Sequence, residues 1–232
     1  MIPIHSSKMR RVRLSVIVAV AVFVAMTTGV FAQARASTTI TLGPVKDNTL
    51  IENGSGGLSN GVGQGFYVGR VNRSSGSIRR AVLAFDVSDV PSGATVDSVS
   101  LSLNMSKTRA GDQTIGIHRL SADWGEGSSA SSGGGGSSSA TNDATWIHRF
   151  FNSTSWSSAG GDFVSSASAS QTVTGNGSYS WPSAQMVADV QAWVDASATN
   201  FGWLLKGNES SPQTVKKFVS RENLNSSSRP VL

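Results

Sequence analysis

Residues 98–105 read Ser98-Val99-Ser100-Leu101-Ser102-Leu103-Asn104-Met105, four apolar side chains alternating with four polar ones. In an extended chain successive side chains point to opposite faces, so this alternation predicts a strand with one buried and one solvated face. Upstream, Ala81, Leu83, Phe85 and Val87 occupy one phase and Arg80, Val82, Ala84 and Asp86 the other. Between the two runs Asp89-Val90-Pro91-Ser92-Gly93 supplies turn chemistry, which fits a hairpin or a crossover between sheets. Working outward, short runs with the same period predict strands at 38–42, 65–71, 114–120, 170–174, 201–206 and 215–222. Eight or so short strands joined by Gly, Ser, Asn and Asp predict an all-β fold, an antiparallel β-sandwich of jelly-roll type. One helix interrupts them. Met186, Val187, Val190, Trp193 and Val194 recur at spacings of three and four after Pro182-Ser183, which predicts about three turns.

The stretch 127–139 is almost pure Gly and Ser. It offers little apolar area against the entropy of ordering it, so it is expected to be a mobile loop within one domain. Residues 1–36 have the layout of a secretory signal: Lys8, Arg10, Arg11 and Arg13, then an apolar run from 14 to 31, then Ala32-Gln33-Ala34-Arg35-Ala36. Cleavage is expected after Ala34 or Ala36, leaving a domain at 37–232 outside the cell and no further run long enough to span a membrane.

Five of the 19 Lys and Arg lie in those first 36 residues and none of the 14 Asp and Glu does, so the remainder balances 14 against 14. A neutral chain gives no electrostatic footprint for nucleic acid. With no cysteine there is no disulfide, thiolate nucleophile or cysteine metal site, and stability must come from packing.

Catalytic chemistry needs titratable groups that converge, and few are on offer. Beyond residue 36 only His118 and His148 remain, and no nucleophile elbow, zinc-protease pair or phosphate loop is present. Asp123 and Glu126 form the one close carboxylate pair beside an aromatic residue, the pattern a glycosidase would need, and two acids in a loop equally suit solvation or calcium. No enzyme is expected. Asp47, Asn48 and Glu126 offer oxygens for a structural calcium ion.

Aromatic and guanidinium groups carry the other possibility, since sugar rings stack their C–H faces on indoles and bond their hydroxyls to charged side chains. Trp193 and Trp203 sit in apolar surroundings and read as core, whereas Trp124, Trp146, Trp156 and Trp181 lie among Gly, Ser and Asp and read as surface, with about half of them alternatively covering sheet edges. Arg70, Arg79, Arg80, Arg119 and Arg221 fall at strand ends or polar phases, where they would either line a face for a uronate polymer or pair with nearby acids.

Several segments together resemble a known family. They are Asp47-Asn48-Thr49-Leu50, Val68-Gly69-Arg70, Arg79 to Asp86, Ile117-His118-Arg119-Leu120 leading to Asp123-Trp124-Gly125-Glu126, Ala144-Thr145-Trp146, Gly160-Gly161-Asp162-Phe163, Asn200 to Gly207 and Phe218 to Asn223. The set is similar to the DNRLRE domain, also classed as carbohydrate-binding module family 96 and related to a domain of disaggregatase. Only Ser220-Arg221-Glu222 stands where the six-letter namesake falls. The resemblance covers residues from about 38 to the end, and implies a secreted β-sandwich that binds polysaccharide, with acidic polymers such as alginate among its ligands. The expectation is therefore a non-catalytic protein with an extracellular polysaccharide as partner, Arg70, Arg80 and Arg119 as ionic contacts, and Trp124 and Trp146 as stacking platforms. The rivals are a structural surface protein that adheres through sheet edges, and a lyase or hydrolase using Asp123, Glu126 or His118.

Overall fold

A computed structural model describes residues 37–232. The expected signal at 1–36 lies outside the described residues. In chain order the strands are β1 (Pro44–Ile51), β2 (Leu58–Ser59), β3 (Gly65–Arg70), β4 (Ile78–Phe85), β5 (Ser100–Thr108), β6 (Gln113–Arg119), β7 (Ser137–Ser138), β8 (His148–Phe150), β9 (Thr154–Ser155), β10 (Ala169–Val173), β11 (Gly177–Pro182), β12 (Trp203–Lys206) and β13 (Lys216–Val219), with one α-helix, α1 (Ala184–Asp195), between β11 and β12. Among the described residues no helix is long and apolar enough to cross a membrane.

All the pairings are antiparallel, and the nine longer strands join into one nearly closed sheet that folds into a sandwich. The front layer runs β10-β6-β12-β4-β1 and the back layer β11-β5-β13-β3. They meet where the end of β3 leaves the back layer and pairs with β4 through Gly69↔Arg79 and Arg70↔Ile78. Gly69 takes φ +113 there, and a Cβ on it would lie 2.9 Å from the Thr214 carbonyl oxygen, so only glycine turns this corner without strain.

The inward phase of each strand forms the main core. Phe66, Leu83, Phe85, Leu101, Leu103, Ile117, Trp203, Leu205 and Phe218 are buried together with Trp181 and the Met186, Val190 and Trp193 face of α1. The helix begins where Ser183 accepts a hydrogen bond from the Met186 amide, an N-cap that satisfies one of the orphan donors of the first turn. Asp189, on the same buried face, accepts from Ser168 Oγ and from Trp203 Nε1 at 2.9 Å, so its charge is tied into the core.

Three expectations change. No strand forms at 38–42; the first strand is Pro44–Ile51, whose Asp47, Asn48 and Thr49 are fully buried although polar, so alternation could not mark it. Thr49 Oγ1 accepts from the Tyr67 amide, and Asn48 Oδ1 from the Thr49 and Asn60 amides and Ser59 Oγ. Second, β11 was unforeseen because Gly, Ser and Tyr dominate it, yet its Trp181 is buried and donates to the Ile115 carbonyl at 2.9 Å. Third, the Gly/Ser stretch is fastened to the sandwich. Ser137 and Ser138 pair with β2, Tyr67 Oη donates to the Ser132 carbonyl, and Arg79 donates to the Gly134 carbonyl. Composition undervalued it because its backbone, not its side chains, makes these bonds.

Lys216 faces inward on β13 with 0 % exposure, and its ammonium donates to the carbonyls of Ala110, Gly111 and Thr174 at 2.7–3.0 Å. One buried cation thereby fastens the β5–β6 and β10–β11 turns. Lys216→Met would remove the donor that ties these two turns together and is expected to lower stability by about 2 kcal/mol, read as a lower urea midpoint with unchanged slope.

Candidate functional site

The outward face of the front layer is covered by the segment between β6 and β10. Leu50, Val82, Ala84, Leu120 and Leu204 form a second core there with Trp124, Ala144 and Trp156. Trp124 is 1 % exposed, and its indole N–H donates to the Phe201 carbonyl at 2.9 Å; Trp156 is likewise buried and donates to the Thr145 carbonyl. The surface role expected for Trp124, Trp156 and Trp181 is therefore corrected. Polar neighbours in sequence disguised side chains that close a second core, and a buried ring face cannot stack on a sugar.

Arg80 and Trp146 do meet, but they occupy one another. The guanidinium of Arg80 lies 4.9 Å from the Trp146 ring and 5.3 Å from the Phe163 ring, forms a bidentate pair with Glu209 at 2.7 and 3.0 Å, and donates to the Gly160 carbonyl. Its side chain is 12 % exposed. Gly160, at φ +89, makes the stack possible, since a Cβ would lie 2.5 Å from Arg80 Nη1. Arg70 donates to the carbonyls of Glu209 and Ser210, fixing the same loop. Arg119 stands apart, 39 % exposed and 3.7 Å from buried Asp189. His118 is buried against Phe163 with Nδ1 3.0 Å from the Val164 carbonyl oxygen, and burial holds its pKa below the ordinary value. Of the acids considered for hydrolysis, Asp123 pairs with Lys46 at 2.7 Å and Glu126 lies 3.4 Å from Arg221 Nε.

Around the oxygens considered for calcium, the chain supplies its own partners. Asp47 Oδ2 accepts from the Arg221 amide, Glu126 Oε1 from the Asp47 amide, and the Glu126 carbonyl from Asn48 Nδ2. Arg221 bridges Glu126 and Glu222. Among the described residues no group of three or more His, Cys, Asp or Glu is arranged to hold a metal ion. The cluster is nevertheless tense. Asp47 is 1 % exposed and its Oδ1 has no partner. Burial first, then the nearby Glu222, pushes its pKa well above the ordinary value, and burial raises Glu126 and Glu222 as well.

A groove on the back layer went unread in the sequence. Cross-strand partners share a face, and three adjacent strands set Tyr67, Lys217 and Lys107 side by side, Tyr67↔Lys217 and Lys217↔Lys107. Strict alternation would send Lys107 inward with Leu101, Leu103 and Met105. A bulge intervenes: on β5 the register steps from Lys107 to Met105 while β13 advances by one, so Ser106 is extra and Lys107 turns to the outer face. Arg109, Thr108, Asn72 and Gln213 complete a groove of about 410 Å3 whose other wall is Ser132 to Gly134 of the Gly/Ser stretch. No carboxylate lines it, and among the described residues none of Lys107, Arg109 and Lys217 has one within 4.0 Å. The Lys217 ammonium sits 5.7 Å from the Tyr67 ring.

The acid cluster yields a pH prediction. A carboxyl whose folded pKa is raised binds its proton more tightly when folded, so its ionisation opposes folding above that pKa, and the opposition fades as pH falls toward the unfolded value, 3.8 for Asp47. Asp47→Asn should therefore raise Tm near neutral pH and reduce the gain in stability that the parent protein shows on acidification, as thermal melts across a pH series will record. No family model matches this chain, and the search of curated proteins finds no match.

Proposed function

We propose that this protein binds an extracellular acidic polysaccharide without transforming it, and that the groove of Tyr67, Lys107, Arg109 and Lys217 takes the polymer. The observation that carries the reading is the in-register pair of Lys217 and Lys107. Like charges directly opposite on neighbouring strands destabilise a sheet, and here neither lysine has an acid beside it to relieve the repulsion. A bulge turns Lys107 toward Lys217 instead of leaving the position to an apolar side chain. A polyanion with a charge on successive residues would relieve that repulsion, and the Tyr67 ring at the groove offers an apolar surface for a sugar face. The resemblance to the DNRLRE domains agrees with this ligand class, and the signal-like leader with secretion.

Arg70 and Arg80, expected as ionic contacts, take a different part in this reading. Arg80 and Arg70 hold the Glu209 loop against the covering segment, and Trp146 is the lid on Arg80. Affinity electrophoresis through gels containing alginate, pectin, xylan and a neutral glucan tests the proposal. Alginate or pectin should retard the protein, added salt should weaken the retardation, and Lys107→Ala with Lys217→Ala should weaken it about tenfold or more, ~1.4 kcal/mol. Arg80→Ala should lower Tm while leaving retardation in place. Equal retardation of the double lysine variant and the parent, or none in any acidic gel, would sink the proposal.

A further inference from the structure

Tyr67 is only 8 % exposed, and what covers its ring is not a core but a strap. Ser132, Gly133 and Gly134, from the run Ser132-Gly133-Gly134-Gly135-Gly136, edge the basic groove. A Cβ on Gly134 would stand 3.0 Å from Tyr67 Cδ1, 3.3 Å from Cε1 and 3.4 Å from Cγ, near-equal distances that place it over the ring face and not its rim. The carbonyl of the same glycine accepts from Arg79 Nε. One residue therefore contacts both a ring face and a guanidinium, which sets the two within reach of a single sugar residue.

Arg79 is a buried cation with no counter-ion. It is 1 % exposed, its hydrogen-bond acceptors are the carbonyls of Gly134, Gly76 and Ile78, and among the described residues no carboxylate lies within 4.0 Å of it. Nothing apolar holds its cover down, since residues 131–139 are all Ser or Gly. Closure rests on the Arg79 bond and on Tyr67 Oη, which donates to the Ser132 carbonyl at 3.1 Å. The ends are pinned: the Ser131 amide donates to Asn60 Oδ1 at 2.7 Å, and Ser137 and Ser138 pair with β2. Segments with few buried apolar contacts open locally at small cost. Lifting 132–136 between those anchors would uncover the Tyr67 ring and Arg79 together.

The chemistry that fits the uncovered pair is that of the glycine now on it, with a charge added. Gly134 sets a carbonyl oxygen on the guanidinium and a C–H on the ring. A uronate residue would set a carboxylate on the first, where an ionised acceptor bonds more strongly than a carbonyl, and a C–H face on the second. We infer, resting on the reading of the groove given above, that Gly134 is an internal stand-in for a sugar-acid residue. The strap is a latch over a covered subsite, Tyr67 with Arg79, which extends the basic groove.

Two variants of the full-length protein loosen the latch by different means. Tyr67→Phe keeps the ring and removes the hydroxyl that holds Ser132, and Gly134→Ala wedges a methyl group against the ring face. A closed state weakens apparent affinity by the fraction of molecules that are open, so both variants should be retarded more strongly than the parent in alginate gels. The apparent Kd should fall up to about fivefold, the weight of one ordinary hydrogen bond. A wall that only contributes contacts gives the opposite sign. Hydrogen exchange of the parent supplies the second measurement: alginate should quicken exchange in the peptide spanning 131–137. Retardation no stronger than the parent's in both variants, or exchange that slows or holds steady, overturns the inference and leaves the groove of Lys107 and Lys217 standing. No retardation of the parent or of either variant removes groove and covered subsite together.

Discussion

The fold depends on covering both faces of the front layer. A sheet in a simple sandwich is apolar on one face, but β4 and β12 are buried almost without a break, with Leu83, Phe85, Trp203 and Leu205 toward the back layer and Val82, Ala84 and Leu204 the other way. Strands buried on both sides need a second cover, a role helices fill in parallel folds. Here the long segment between β6 and β10 does it with two tryptophans, and that demand decides much else. Trp124 and Trp156 are unavailable to a ligand because they close this second core, and Arg80 is buried under Trp146 because its strand lies beneath the same cover.

Charge is handled in two opposite ways. Where ionic groups go inside, the chain surrounds them: Asp189 takes a hydroxyl and an indole, Lys216 takes three carbonyls, and Arg221 stands between Glu126 and Glu222. Burial without such partners would cost more than most single interactions contribute. On the back layer Lys107, Arg109 and Lys217 are left with no acid among them. The contrast separates groups placed for stability from groups placed at a cost to it, and the proposed ligand groove is built from the second kind.

The Gly/Ser stretch belongs to both patterns. Lacking side chains to bury, it contributes carbonyls, one of which receives Arg79, whose pKa burial lowers to about 10, and another the Tyr67 hydroxyl. It therefore satisfies a buried donor and forms a wall of the basic groove with the same few residues.

The strands from 98 to 105 and 114 to 120 and the helix after Ser183 were legible because one face of each is largely apolar and the other polar, so local periodicity and burial agree, while the runs 65–71 and 80–87, buried on both faces, stood out as short apolar stretches between turn residues. The all-β class followed from that agreement. Local pattern carries no record of what lies above a polar face, and there it failed. Asp47, Asn48 and Thr49 are polar and buried, and Trp124 is set among acids and glycines yet lies in a core, because partners 11 to 174 residues away in sequence satisfy or cover them. The candidate groove was decided by tertiary structure alone. One bulged residue, Ser106, reverses the facing of Lys107, and pairing across β3, β13 and β5 brings it beside Lys217 and Tyr67. The alternation of a strand is a property of its sequence, whereas its register against a neighbour is a property of the whole fold.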